Sequence, residues 1–133
     1  MSEPTRDPLA ELIAFESAAF RIGQVARRLL AEHPGLPVQT MEPTAWSLAS
    51  SDGPDVHTEL ELRFDSVDEV RAWAEALGVE PTAEVSERSP YERAAVEATV
   101  DGVLVKVSGS RALTGDEYAA WRAKHQPAGG EGR

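Results

Sequence analysis

The sequence predicts an α+β fold, one antiparallel sheet of about five strands with helices mainly on one face, in the order αββαβββα. Three local patterns lead there. Val56, Thr58, Leu60, Leu62 and Phe64 alternate with His57, Glu59, Glu61, Arg63 and Asp65, the period-two signature of a strand with one dry face and one wet face. Directly after it, Ser66-Val67-Asp68-Glu69 reads as a capping box, in which the Ser66 hydroxyl accepts from the Glu69 backbone N–H and Glu69 reaches back to the Ser66 N–H. Val67, Val70, Trp73, Ala74 and Leu77 then recur at helical spacing up to Gly78, which suits a left-handed helix stop. The third pattern is Val100-Asp101-Gly102-Val103, a two-residue hairpin turn of the kind Asp-Gly favours, because both central residues take positive φ.

Taken in order, residues 1–6 carry no pattern and are expected to form a loose tail. Asp7-Pro8 is an N-cap followed by proline at the first helical position, where a missing N–H costs nothing. A long helix over 8–33 follows, with a wide apolar stripe from Leu9 to Leu30, ended by His33-Pro34-Gly35. A helix of that length spans roughly 37–39 Å, more than one small sheet. Such a helix either overhangs and meets a second copy, making a homodimer, or packs along its whole length on its own domain. Leu36 to Pro43 is extended and broken by proline, and Ala45 to Ser50 forms a short edge strand. Ser51-Asp52-Gly53-Pro54-Asp55 supplies the turn into the strand that ends at Phe64.

After Gly78, residues 82–88 are expected to form a weak strand with Ala83 and Val85 on one face, ended by Ser89-Pro90. In the Asp-Gly hairpin, placing Val100 opposite Val103 sets Ala98 against Val105 and Val96 against Val107, with every apolar residue on one side. The other side then pairs Glu97 with Lys106 and Thr99 with Leu104. Thr114 to Glu117 repeats the capping-box pattern and opens a short helix through Tyr118, Trp121 and Arg122. From Gln126 the chain is a Pro/Gly-rich tail, expected to be disordered. The whole of 1–133 reads as a single domain, with 45–125 holding the sheet and the remaining helices.

At 133 residues such a domain buries about two-thirds of its unfolded-chain surface without staples. The absence of cysteine excludes a thiol nucleophile, a thiolate metal site and a disulfide. The polar start Met1-Ser2-Glu3-Pro4 and the lack of any long apolar run predict a cytoplasmic protein with no membrane partner. With 23 acidic residues against 13 basic ones, the net charge of -10 repels a phosphate backbone. Nucleic acid is therefore a poor direct partner and a basic protein surface a better one. Only Lys106 and Lys124 are lysines and alanine is abundant, a bias that points to a GC-rich genome.

The wet strand face holds the sharpest candidate for chemistry. His57, Glu59 and Glu61 lie on one side of one strand about 7 Å apart, and Glu97 approaches across the sheet. Together they offer one nitrogen and two or three carboxylate oxygens to a divalent metal, although alternating glutamates also serve solubility alone. Arg27-Arg28 could steer a phosphate or an acidic partner, and Glu97 with Lys106 offers a charged contact surface. His33 is placed to meet the last helix carbonyls, and His125 lies near a chain end. Trp46, Trp73 and Trp121 are expected in the core, with any exposed one marking a binding patch. The serines lack a Gly-x-Ser-x-Gly elbow, and Gly109 and Gly115 stand outside any phosphate loop. No catalytic or cofactor-binding residue is assigned.

Residues 56–108, read as strand, helix and three strands and including the Asp-Ser-Val-Asp-Glu-Val-Arg-Ala-Trp-Ala-Glu-Ala-Leu-Gly run, resemble one half-module of the vicinal-oxygen-chelate (glyoxalase-like) fold. That resemblance implies a metal-ligating histidine on the first strand, matched by His57, and a glutamate on the last, where this chain has Lys106. It also implies two paired modules. A second resemblance runs through Leu29-Leu30-Ala31-Glu32-His33-Pro34-Gly35-Leu36-Pro37, the Phe64-to-Gly78 segment and the closing Asp-Gly hairpin, and is to small uncharacterised proteins of actinobacteria and their phages and plasmids. It implies a small accessory or regulatory protein.

The expected function is therefore that of an acidic accessory or regulatory protein acting by protein–protein interaction, through its long first helix and its wet sheet face. The alternatives are a metal- or small-ligand-binding protein of glyoxalase-like architecture using His57, Glu59 and Glu61, and an acidic DNA mimic built on Glu59, Glu61, Glu84, Glu87, Glu92 and Glu97.

Overall fold

A computed structural model describes residues 7–48, 55–86 and 90–125 of the chain. The two expected tails, the turn at 51–54 and the positions 87–89 lie outside the described residues. The elements are α1 (Pro8–Glu32), β1 (Thr40–Leu48), β2 (Asp55–Phe64), α2 (Val67–Leu77), β3 (Thr82–Val85), β4 (Tyr91–Val100), β5 (Val103–Ala112) and α3 (Gly115–His125). The fold is α+β in the order that the sequence patterns predict.

The sheet is mixed, which corrects the expectation of a purely antiparallel one. Its spatial order is β1-β2-β5-β4-β3, and β2 runs parallel to β5 with Leu60 opposite Val105 and Leu62 opposite Val107. The cause is connectivity. The crossover through α2 carries the chain to the far edge, so β3 starts in the direction of β2; two antiparallel reversals then return β5 in that direction beside β2. The predicted β4–β5 register is reproduced from Val100 opposite Val103 to Val96 opposite Val107, with Asp101 at φ 48° and Gly102 at φ 82° in the turn.

Both edges are blunted. β3 has only four residues, and β1 carries Pro43 in its middle, opposite Leu60. The edge strand begins at Thr40, earlier than the expected Ala45, because Pro43 at a sheet edge removes no ladder hydrogen bond that a neighbour needs. Gln39 fixes that beginning: its amide nitrogen donates to Asp65 Oδ2 at 2.7 Å and its oxygen accepts from the Asp65 backbone N–H at 3.0 Å.

α1 and α2 pack on the same face of the sheet. Ile22, Val25 and Leu29 from α1, and Val67, Val70, Trp73 and Ala74 from α2, close over Leu60, Leu62, Phe64, Val96, Val103, Val105 and Val107. Trp73 is fully buried and its Nε1–H donates to the Pro37 carbonyl at 2.9 Å, which satisfies the indole's one polar atom and anchors the chain leaving α1. Asp7 caps α1 by accepting from the Leu9 and Ala10 N–H groups at 3.1 and 3.3 Å. Ser66 caps α2 through the Asp68 N–H at 3.1 Å, one residue earlier than the capping box requires. At Thr114 the box is complete: the Glu117 N–H donates to the Thr114 hydroxyl at 3.1 Å and the Thr114 N–H donates to Glu117 Oε1 at 2.9 Å.

Gly109 sits on β5 where α2 begins. A Cβ there would lie 2.5 Å from the Ser66 carbonyl and 2.8 Å from Val70 Cγ2, so only glycine lets the sheet and the helix start come this close. Gly78 closes α2 in the left-handed region at φ 72°.

Candidate functional site

The 25 residues of α1 outrun the sheet that supports them. Its buried positions, Ala18, Ile22, Val25 and Leu29, follow one 4-3-4 seam that starts only after ten residues of the helix. Before Ala18 no residue of α1 is buried. The apolar stripe nevertheless continues, leaving Leu9, Leu12, Ile13 and Phe20 exposed at 64%, 67%, 52% and 61%. Of the two arrangements open to a helix of this length, the overhang is the one present.

A second seam lies roughly a third of a turn round the helix from the first. Leu12, Ala19, Gly23, Ala26 and Leu30 fall on it at spacings of seven, four, three and four. Where this seam passes β1, the short side chains leave a groove of about 430 Å³, walled by Ala19, Gly23 and Ala26 on one side and Met41, Pro43 and Ala45 on the other. Gly23 is informative here. Glycine inside a helix costs roughly 0.5–1 kcal/mol relative to alanine, yet a Cβ at this position meets only the end of Arg27, at 3.6 Å. Among the described residues, no contact requires the missing side chain.

The opposite face of the sheet is open, and it distributes the predicted site residues differently from the expectation. His57, Glu59 and Glu61 share that face, but the two glutamates turn to separate cations, and the buried His57 Nε2 makes no hydrogen bond among the described residues. The Glu59 carboxylate lies 3.4 Å from Lys106 Nζ, and Glu61 Oε1 accepts from Arg63 at 3.0 Å. His57 stacks on Trp46, with ring centroids 5.4 Å apart, and its Nε2 lies 3.4 Å from Asp55. Among the described residues no group of three His, Asp or Glu side chains is placed to hold a metal ion. Lys106 is opposite Glu97 in the strand register, as predicted, yet its ammonium goes to Glu59 on the neighbouring parallel strand. No local pattern in the sequence states that β2 and β5 are neighbours.

The acidic residues do not form rows. Arg63, Arg93 and Lys106 interleave with Glu42, Glu59, Glu61 and Glu97 on the open face, and Glu92 points to the helix side. There it accepts from Arg111 Nε at 2.8 Å, with Arg71 at 3.9 Å. Arg28 is occupied within the domain: it donates to Asp101 at 2.6 Å and to Glu32 at 3.1 Å, and these partners raise its already high pKa. Arg27 and Glu16 carry no ion pair among the described residues.

The three tryptophans divide. Trp73 is the core anchor, whereas Trp46 is 38% exposed on the open face. Trp121 lies in α3, which buries none of its residues, and stacks with Tyr118 and His125 at 6.1 and 4.6 Å. His33 closes α1 through its backbone N–H to the Leu29 carbonyl, and its ring meets Trp73 edge-on at 6.2 Å, so it does not cap carbonyls with its side chain. α3 is tied to β5 by Arg111, which donates to Glu117 at 3.0 Å; the Thr114 backbone bond, then Arg111, hold the Glu117 carboxyl below its usual range. No helix among the described residues is long and apolar enough to cross a membrane. Neither a protein-family model, nor a curated protein, nor a solved structure matches this chain.

Proposed function

We propose that this chain is a non-catalytic accessory or regulatory domain that works by protein–protein contact through the outer side of α1 and the groove beside β1. The observation that carries the reading is the cluster of four large apolar side chains, Leu9, Leu12, Ile13 and Phe20, more than half exposed on one helix. Monomeric domains rarely leave such a patch in water, and patches rimmed by polar groups mark docking surfaces. Glu16 and Arg27 supply that rim on the same side of α1. The open sheet face serves as a solvated surface, its glutamates balanced by Lys106 and Arg63.

The test is site-specific photocrosslinking in the native cell, with a benzophenone amino acid at Leu12 and, as the control, at Glu75 on the outer side of α2. A discrete adduct from position 12 and none from position 75 supports the reading. Absence of an adduct at position 12, or equal labelling at both, overturns it.

A further inference from the structure

We infer that the partner of the α1 surface is a second copy of this chain, bound as a symmetric pair with the two α1 helices antiparallel; this rests on the docking role of α1 proposed above. The surface is complementary to itself. One copy offers a projecting apolar half-helix, Leu9 to Phe20, and a groove beside the other half of the same helix, at Gly23 and Ala26. Setting Leu9 opposite Leu30 of the second copy places each projection along the other's groove. Ala19 then lies against its own counterpart near the symmetry axis, and Glu16 faces Gly23. The absent side chain at Gly23, which no contact among the described residues explains, lets the helices approach at that point.

Charge selects the antiparallel sense. Glu16 and Arg27 lie three turns apart on the same side of α1, neither with an ion pair among the described residues. In the antiparallel pair each Glu16 comes within one turn of the other copy's Arg27, twice by symmetry. A parallel pair sets Glu16 beside Glu16 and Arg27 beside Arg27, and aligns the helix dipoles unfavourably. The sheet edges offer no competing route to self-association, since one is four residues long and the other is interrupted by Pro43.

The experiment uses the whole chain, which contains no native cysteine. Sedimentation equilibrium is expected to give twice the chain mass. Leu12→Glu with Phe20→Glu should return the single-chain mass with an unchanged circular dichroism spectrum, because neither residue is in the core. Glu16→Arg should weaken association several-fold, and adding Arg27→Glu to it should restore association. Under oxidation, Ala19→Cys should cross-link to itself, whereas Leu9→Cys should cross-link only when mixed with Leu30→Cys. Self-linking of Leu9→Cys overturns the antiparallel arrangement. A single-chain mass up to high micromolar concentration overturns self-association altogether; if Leu12 still photocrosslinks to a different protein, only the identity of the partner fails, and if it labels nothing, the docking role fails too.

Discussion

The Arg28 guanidinium meets the Asp101 carboxylate at 2.6 Å, joining the second half of α1 to the tip of the β4–β5 hairpin. Both side chains are about half exposed, so solvent screens the pair and its contribution to stability is small. A double-mutant cycle with Arg28→Ala and Asp101→Asn should give a small favourable coupling that shrinks as salt is raised. Asparagine is the right replacement, because it tolerates the positive φ of this position and so isolates the charge. Coupling that is absent at low salt would show that the hairpin tip and α1 are not joined by this contact.

Gly109→Ala is expected to destabilise the domain by about 1–3 kcal/mol, the usual range for overpacking. The nearest atom to the new methyl is the Ser66 carbonyl at 2.5 Å, a backbone atom that cannot rotate away. Gly115→Ala is the control, since its Cβ meets open space, and should stay within about 0.5 kcal/mol of the parent. Urea unfolding of the two variants side by side decides the matter.

Trp73→Phe keeps most of the ring volume but removes the donor that satisfies the Pro37 carbonyl at 2.9 Å. The expected cost is roughly 0.5–1.5 kcal/mol for the lost hydrogen bond, since Pro37 is exposed and water can replace the donor at its carbonyl. Acrylamide should quench Trp46 and Trp121 in the folded protein and spare Trp73, which has no exposed surface. Uniform quenching of all three would contradict the packing of α2 on the sheet.

The pH dependence of α3 follows from Glu117. Its carboxyl is held below the usual range by the Thr114 backbone N–H first and Arg111 second. A depressed folded-state value means that this contribution is present above the unfolded-state pKa, about 4.3 for a glutamate, and is lost as pH falls through the lower folded value. Helix α3 should therefore loosen in acid before the core unfolds, seen as a change in Trp121 fluorescence. Glu117→Gln should remove that acid step.

The pairing of Glu59 with Lys106 and of Glu61 with Arg63 leads to an expectation for metals. Zn²⁺, Mn²⁺ and Ni²⁺ should leave the Tm unchanged. A stabilisation by any of them that His57→Ala abolishes would return the open face to consideration as a metal site.

Much of this architecture was legible because the decisive signals are local. The Asp101-Gly102 turn fixes the β4–β5 register residue by residue, and the alternation from Val56 to Phe64 fixes which side of β2 is dry. The adjacency of β2 and β5 was not legible, since no local pattern states how two hairpins meet across a helical crossover. Misplacing that one neighbour carried Lys106 to Glu97 in place of Glu59. Length alone leaves the overhang of α1 as one of two arrangements, and its groove needs Met41 and Ala45, supplied by a strand that runs through Pro43 because a proline is tolerated at a sheet edge.

The central position of β5 bears on how the chain is made. A ribosome releases β1, β2, α2, β3 and β4 before the strand that must lie between β2 and β4 exists. Until Val103 to Ala112 emerges, two unpaired strand borders wait on either side of an empty lane, each a template for the wrong chain. Synthesis thus delivers the keystone after the strands on both its sides, and any premature stop before Val103 leaves a product that is sticky rather than merely shorter.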